Sequence, residues 1–365
     1  MSKIVSISTA LPAYKHQQND ILKFMQNVYA MNESDKRKLK FLYHQSAIQT
    51  RYSVLPDYSL NANEWKFYPA SENLEPFPGL ELRMDWYNQT APALSVNTIE
   101  KCIEEKINKD EITHLITVSC TGMSAPGLDL QIMELMDLPK NIFRTSVNFM
   151  GCYAAIHGMK LADAFCKNDV QAKVLVVCTE LCTLHFQKET TADNIAASLL
   201  FGDGSAAILI THDENNLQGL KMKKFYSEVG FNGKEHMSWQ LSSSGFLMKL
   251  SGYVPELIEQ DFSHFLQKAL QKANMKESEI SHWCIHPGGK RILSSIEKCT
   301  SVTHEDLQYS YHVLNDYVNM SSPTILFVLK EIVDSLQNKK SDKTNIFGAA
   351  FGPGLTMETF ILSDD

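Results

Sequence analysis

Apolar and polar positions divide the chain into short apolar runs separated by stretches of helical spacing. Residues 3–9, 114–119, 142–149, 173–178 and 205–211 are β-favouring runs of strand length, several of them apolar almost throughout. Runs of this kind suit strands covered on both faces. Residues 88–106 and 152–165 carry helical spacing instead. Residues 12–27 read as a loop entering a helix. A second helix opens at Asn32 or Ser34, either of which can cap it. Residues 53–86, rich in Pro, Asn and aromatics, read as a long irregular segment, and 213–216 as a polar break.

The second half repeats the order of the first. Ser281-His282-Trp283-Cys284-Ile285 echoes Thr113-His114-Leu115-Ile116-Thr117. Asn319-Met320-Ser321-Ser322 opens a helical run over 323–335 as Cys152 opens its own. Phe351-Gly352-Pro353-Gly354 precedes a strand over 356–362 as Phe201-Gly202-Asp203-Gly204 precedes 205–211. An internal duplication of a βα unit with a period of about 170 residues follows, and strands alternating with helices imply α/β layers. The halves are taken as 1–215 and 216–365.

Composition narrows the function. A net charge of −8 and a pI near 5.9 argue against nucleic acid as a partner. Met1-Ser2-Lys3 runs directly into the first strand, so no signal peptide is expected. No apolar run approaches the ~20 residues of a membrane span. The eight cysteines are scattered without a CxxC pair, which reads as reduced, cytoplasmic thiols and not a disulfide framework or zinc site. The basic run Lys36-Arg37-Lys38-Leu39-Lys40 is either a solvated helix face or a phosphate contact.

The chemistry concentrates at one turn. In Val147-Asn148-Phe149-Met150-Gly151-Cys152-Tyr153-Ala154 a strand stops at Met150-Gly151 and a small-residue helix begins at Cys152. Free N–H groups and the dipole of a helix N-terminus favour a thiolate there. The alternative is that Cys152 is a small core residue. A thiolate nucleophile needs a cationic or basic partner, and the steps after it need hydrogen-bond donors. His286 ends an apolar strand before Pro287-Gly288-Gly289, and Asn319 precedes a helix in the place quasi-equivalent to Cys152. Alone, His286 could be a satisfied core histidine and Asn319 a helix cap. All three stand where a strand gives way to a turn, which favours a shared site.

These residues resemble the signatures of type III polyketide synthases, the chalcone and stilbene synthase family. Gly151-Cys152, Leu200-Phe201-Gly202-Asp203-Gly204, Trp283-Cys284-Ile285-His286-Pro287-Gly288-Gly289, Asn319-Met320-Ser321-Ser322 and Phe351-Gly352-Pro353-Gly354 carry the likeness, which runs from about residue 3 to 362. The resemblance implies an α/β thiolase fold, two quasi-repeated βα halves in a layered αβαβα arrangement. It also implies a homodimer and no cofactor beyond the CoA of the substrates. Cys152 would take a starter acyl group from acyl-CoA and pair with His286 as thiolate and imidazolium. His286 and Asn319 would hold the thioester oxygen of malonyl-CoA while it loses carbon dioxide. The extended chain would then cyclise to an alkylpyrone, alkylresorcinol or related phenolic product.

By the same resemblance Phe201 is a gatekeeper, and Cys120, Ala125, His185, Trp239, Met248 and Ser321 fall on cavity positions. Several depart from plant chalcone synthases. Those have phenylalanine where Met248 stands, a methionine reaching across the dimer at Ala125, threonine at His185 and glycine at Trp239. Of the basic residues at the CoA tunnel mouth only Lys38 is matched, with Phe41 and Gln45 nearby. The His-Met-Ser-Trp run at 236–239 looks more like bacterial members. Three alternatives remain: a ketoacyl-ACP synthase III-like enzyme, a hydroxymethylglutaryl-CoA synthase-like enzyme, or a catalytically silent protein of the same fold.

Overall fold

A computed structural model describes residues 1–29, 31–337 and 343–365. The first half contains β1 (Ser2–Ala10), β2 (Tyr14–Gln17), α1 (Gln18–Val28), α2 (Glu33–Gln45), β3 (Thr50–Ser53) and α3 (Leu80–Ile103). It continues with β4 (His114–Ser119), α4 (Leu128–Met136), β5 (Phe143–Asn148), α5 (Ala154–Asn168), β6 (Lys173–Leu181), α6 (Ala192–Leu200) and β7 (Asp203–His212). The second half contains β8 (Leu220–Val229), β9 (Met237–Ser242), β10 (Gly245–Leu250), α7 (Val254–Ala273), β11 (His282–Ile285) and α8 (Lys290–Cys299). It ends with α9 (Gln308–Tyr317), α10 (Thr324–Gln337), β12 (Asn345–Gly352) and β13 (Thr356–Ser363).

The strand order is β11-β12-β13-β8-β1-β7-β6-β4-β5. The halves join where Lys3 and Ile4 of β1 pair with Lys221 and Leu220 of β8. Outward from that junction the two arms mirror one another, β1-β7-β6-β4 against β8-β13-β12-β11. In each arm the inner pairs are antiparallel and the outermost of these pairs is parallel. This is the repeat read from the sequence, with 113–117 and 281–285 on β4 and β11. Beyond β4 the first arm adds β5, which has no counterpart outside β11 among the described residues.

The layers follow from burial. Helix α5 packs on β4, β6 and β7, and α10 on β1, β7, β11 and β12. One core takes in Ile156 and Met159 of α5, Ile325 and Leu329 of α10, and strand residues such as Val174, Ile208, Ile346 and Phe360. Each of these side chains contributes ~1.5–3 kcal/mol by leaving water. Helix α3 covers the outer face of the first arm, and α7 with α8 that of the second. Being covered on both faces explains why β6 and β7 show no polar–apolar alternation.

Asn32 is the cap of α2, its side chain accepting from Asp35 N–H at 3.0 Å. Helix α3 begins at Leu80, inside the stretch expected to be irregular. The helix read over 88–106 is its later part, and the first turns escape hydrophobic periodicity because their buried face carries Arg83. Residues 217–280 had yielded no elements from the sequence. They form β8, the β9–β10 hairpin and α7.

Candidate active site

The turn after β5 is built on left-handed backbone. Phe149 has φ of 60° and Gly151 of 83°. Ala154 N–H then donates to Gly151 O at 3.0 Å, and α5 starts. A Cβ on Gly151 would stand 2.5 Å from Pro353 Cδ, so only glycine fits. Pro353 belongs to the Phe-Gly-Pro-Gly turn of the second half. That turn's Gly352 in its own case lies where a Cβ would be 2.5 Å from the Tyr153 ring. The two glycine turns, one from each half, therefore interlock around Cys152.

The second half delivers the partners. His286 follows β11, its N–H donating to Ala349 O at 2.9 Å, and the Gly288-Gly289 turn leads into α8. Asn319 lies between α9 and α10, tied to the first half by Asn319 N–H to Leu200 O and Gly202 N–H to Asn319 O, both 3.0 Å. It does not cap α10, which begins at Thr324. Its Oδ1 accepts from Ser321 N–H at 2.8 Å, with Thr324 Oγ1 at 3.4 Å. That bond fixes the amide plane, and both of its polar atoms lie beside the cysteine. Cys152 Sγ stands 3.8 Å from Asn319 Oδ1 and 3.9 Å from Nδ2.

Electrostatics differ from the sequence expectation. Neither ring nitrogen of His286 has a hydrogen-bond partner, so the thiolate–imidazolium contact is not closed in this structure. Burial lowers the His286 imidazole to about 3. Burial also raises the Cys152 thiol, opposed by Ser321 and Asn319. Both effects favour the neutral pair. A proton passing from thiol to imidazole creates two charges together, each supplying the attraction the other needs. The signs are therefore opposite, burial raising the thiol and the imidazolium lowering it. In His286→Ala the imidazolium's attraction is lost while burial stays, and the pH midpoint for iodoacetamide labelling of Cys152 is expected to move upward from wild type. Peptide mass spectrometry isolates this site from the other thiols. Equal midpoints near the ~8.5 of a free thiol in both proteins would end the pairing.

Cys152, His286 and Asn319 line one cavity of about 480 Å³. Phe201, Met248, Trp239 and Ser321 line it too. Phe201 bridges to Asn319 across the halves, and Met248 of β10 stands opposite Trp239 of β9. Along α6 the wall is aliphatic, from Ile195 and Ala196 to Leu199 and Leu200. Four expected residues do not line this cavity, and of them His185 lines a smaller one that shares Phe201 and Met248. Cys120 is buried behind the turn, its sulfur accepting Gly151 N–H at 3.1 Å. His185 is buried against Trp239, ring centroids 4.5 Å apart. Ala125 is exposed on the chain surface. Lys38 is exposed and ion-paired to Asp35 at 2.9 Å, one helical turn out from Leu42, which does line the cavity.

The structure adds residues the sequence reading missed. Lys290 and Arg291 line the cavity at the start of α8. Glu180 is fully buried at the end of β6, accepting from Cys120 N–H at 2.8 Å and Ser322 O–H at 3.0 Å. Burial raises its carboxyl to about 7. A lone glutamate closing an apolar strand was the available signal, because a buried carboxylate requires partners. Among the described residues no cluster of His, Cys, Asp or Glu could hold a metal, and no helix is long and apolar enough to cross a membrane.

Comparison with known proteins decides the family. The family described as "Chalcone and stilbene synthases, N-terminal domain" matches residues 1–214, and its C-terminal domain matches residues 224–364. The chain belongs to this family. It is 29% identical over 368 residues to Type III polyketide synthase C of Arabidopsis thaliana, covering 98% of this chain and 94% of that protein. It is 28% identical to Type III polyketide synthase A of the same plant, covering 98% and 92%. Among solved structures, PKS-I of the brown alga Ectocarpus siliculosus superposes with a TM-score of 0.92 at 25% identity, covering 99% of this chain and 98% of that one. The C-terminal type III domain of Steely1 from Dictyostelium gives 0.90 at 27% identity, covering 99% of each chain. The chain is thus a type III polyketide synthase, an acyltransferase-type enzyme of thiolase fold.

Proposed function

We propose that this type III polyketide synthase loads an aliphatic acyl group from acyl-CoA onto Cys152 and extends it with malonyl-CoA. The convergence of Cys152, His286 and Asn319 on one apolar cavity carries this reading. Thioester exchange joins the acyl carbon to Sγ and releases CoA thiol. In malonyl-CoA the bond to the carboxylate breaks, carbon dioxide leaves, and the electron pair passes to the thioester oxygen. His286 and Asn319 Nδ2 donate to that oxygen as it becomes an enolate. The enolate carbon attacks the acyl carbon and displaces Sγ. The lengthened thioester returns for another round and then cyclises, as an alkylpyrone- or alkylresorcinol-like product. No group beyond the CoA of the substrates is required.

The reading includes a cytoplasmic homodimer. Eight unpaired cysteines support a reducing compartment. Strand β5 supports the dimer: it is a sheet edge, and its Phe143 is 70% exposed. Sedimentation of the protein at twice the mass of the chain is the expected result. Incubation with acyl-CoA and malonyl-CoA, followed by mass spectrometry, tests the function. Products extended more than once are expected. A single extension or none favours ketoacyl-ACP synthase III-like or hydroxymethylglutaryl-CoA synthase-like chemistry instead.

A further inference from the structure

Helix α2 turns an apolar pair toward solvent. Leu39 and Tyr43 are buried and fix the inward side of the helix. Phe41 lies two residues from each, ~200° round the helix, and is 64% exposed. Leu42 beside it is 44% exposed, and among the described residues no other two consecutive large apolar residues are both exposed. A single exposed apolar side chain is ordinary, but an adjacent pair at the rim of a cavity calls for a partner.

Cations frame this pair. Arg37 and Lys38 stand one helical turn before Phe41 and Leu42. Leu42 and Gln45 line the same cavity as Gly252, Lys290 and Arg291. Arg291 donates to Gly252 O at 3.0 Å, which ties the start of α8 to the loop whose next residue, Tyr253, is 44% exposed. Six cations thus stand on α2 and at the start of α8. Three are paired, Lys36 with Glu33, Lys38 with Asp35 and Arg291 with Glu256. Arg37, Lys40 and Lys290 have no carboxylate partner among the described residues. Lys290 opens α8, where the helix dipole adds to its positive field. This local excess stands on a chain of net charge −8.

We propose that this rim docks the protein on an anionic membrane surface, with Phe41, Leu42 and Tyr253 entering the headgroup boundary and the unpaired cations facing lipid phosphates. Aromatic and aliphatic side chains framed by Lys and Arg are the composition of interfacial helices. The long stems of Lys and Arg carry charge to the level of the rings. Leu42 belongs both to the exposed pair and to the cavity lining, which gives a hydrocarbon chain an apolar step between lipid and the aliphatic wall along α6. The three side chains offer little apolar area against the ~800 Å² per partner of a standing protein interface. A bilayer needs no such area, because each Lys or Arg near an anionic surface raises partitioning about fivefold by itself.

The inference does not depend on the proposed extension chemistry, because binding is read without substrate. Wild type, Phe41→Ser, Phe41→Trp and the double variant Arg37→Gln with Lys40→Gln are sedimented with sucrose-loaded phosphatidylcholine vesicles, with and without phosphatidylserine. Wild type is expected to bind the phosphatidylserine vesicles and to dissociate as salt rises. Phe41→Ser is expected to lower partitioning about tenfold, the effect of withdrawing one large apolar side chain. The double variant is expected to lower it about twenty-fivefold. Phe41→Trp keeps an interfacial aromatic and is expected to bind as wild type does. Wild type left in the supernatant with both kinds of vesicle overturns the proposal. So does wild-type binding by either Phe41→Ser or the double variant, since the membrane would then meet another face. Retention by an immobilised acidic acyl carrier protein without vesicle binding would assign the rim to a protein partner. A Phe41→Ser protein of half the wild-type mass would assign it to a second copy of the chain. Either result overturns the membrane assignment.

Discussion

Asn319→Ala is expected to slow carbon dioxide release from malonyl-CoA by ~100 to 1000-fold, the usual effect of losing one oxyanion donor. Transfer of the starter acyl group to Cys152 should survive. The geometry separates the two steps. Asn319 Oδ1 accepts from Ser321 N–H at 2.8 Å, and an enolate oxygen, which needs donors, can take a bond only from Nδ2. Nδ2 stands 3.9 Å from Sγ, within reach of an oxygen held beside the sulfur. Loading breaks one thioester and makes another, with the nucleophile already in place. Decarboxylation leaves a full negative charge on oxygen, and the transition state is stabilised only by donors aimed at it beforehand. Asn319→Asp should be at least as damaging, because a carboxylate would face the developing enolate. Labelled carbon dioxide and the mass of acyl-enzyme report the steps separately. Carbon dioxide release at the wild-type rate in Asn319→Ala would remove the residue from its role.

Affinity for acyl-CoA starters is expected to climb with chain length, and long aliphatic starters to outrun p-coumaroyl-CoA. Each methylene buried in an apolar channel contributes ~0.8 kcal/mol, about fourfold in affinity. The wall along α6 suits methylenes, with Ala192, Ala196 and Leu199 among its residues. Met248 can shift its unbranched side chain to follow a bent tail, which a ring could not do. Trp239 fills space on the side where the resembling chalcone synthases have glycine, leaving less room for an aromatic starter. Ala125, a cavity position by the family resemblance, is exposed on the surface of the chain, so the length limit is better tested at Ala196. Ala196→Phe should shorten the preferred starter while short acyl-CoAs react as before. Kinetics over a series of saturated acyl-CoAs give the profile. A flat profile, or faster turnover of the coumaroyl thioester, would rule the aliphatic channel out.

The repeat, the strand–turn–helix units and their order are legible along the chain before it folds. The reason is that these signals are local. β6 and β7 are apolar enough to be recognised alone, and Gly151 marks a turn through the φ it must adopt. The motifs around Cys152, His286 and Asn319 follow from the same backbone requirements, so those residues were legible before any fold was known. Helix α3 was hidden at its start because Arg83 is buried there, its guanidinium donating to Leu184 O on a distant segment. The hairpin of β9 and β10 was missed although it supplies Trp239 and Met248 to the cavity.

Which side chains face the cavity, and which protonation states burial favours, depends on packing between segments distant in sequence. Lys38 and Ala125 sit on the surface of the chain and outside the cavity lining, which is assembled from α2, α6, the β9–β10 hairpin and α8, segments far apart in sequence. The helix N-terminus at Cys152 argues locally for a thiolate. Burial, a property of everything packed around the turn, argues for the thiol. Glu180 belongs to the same class. Its partners, Cys120 N–H and Ser322 O–H, lie far from it in sequence and become visible only when the chain is folded around it.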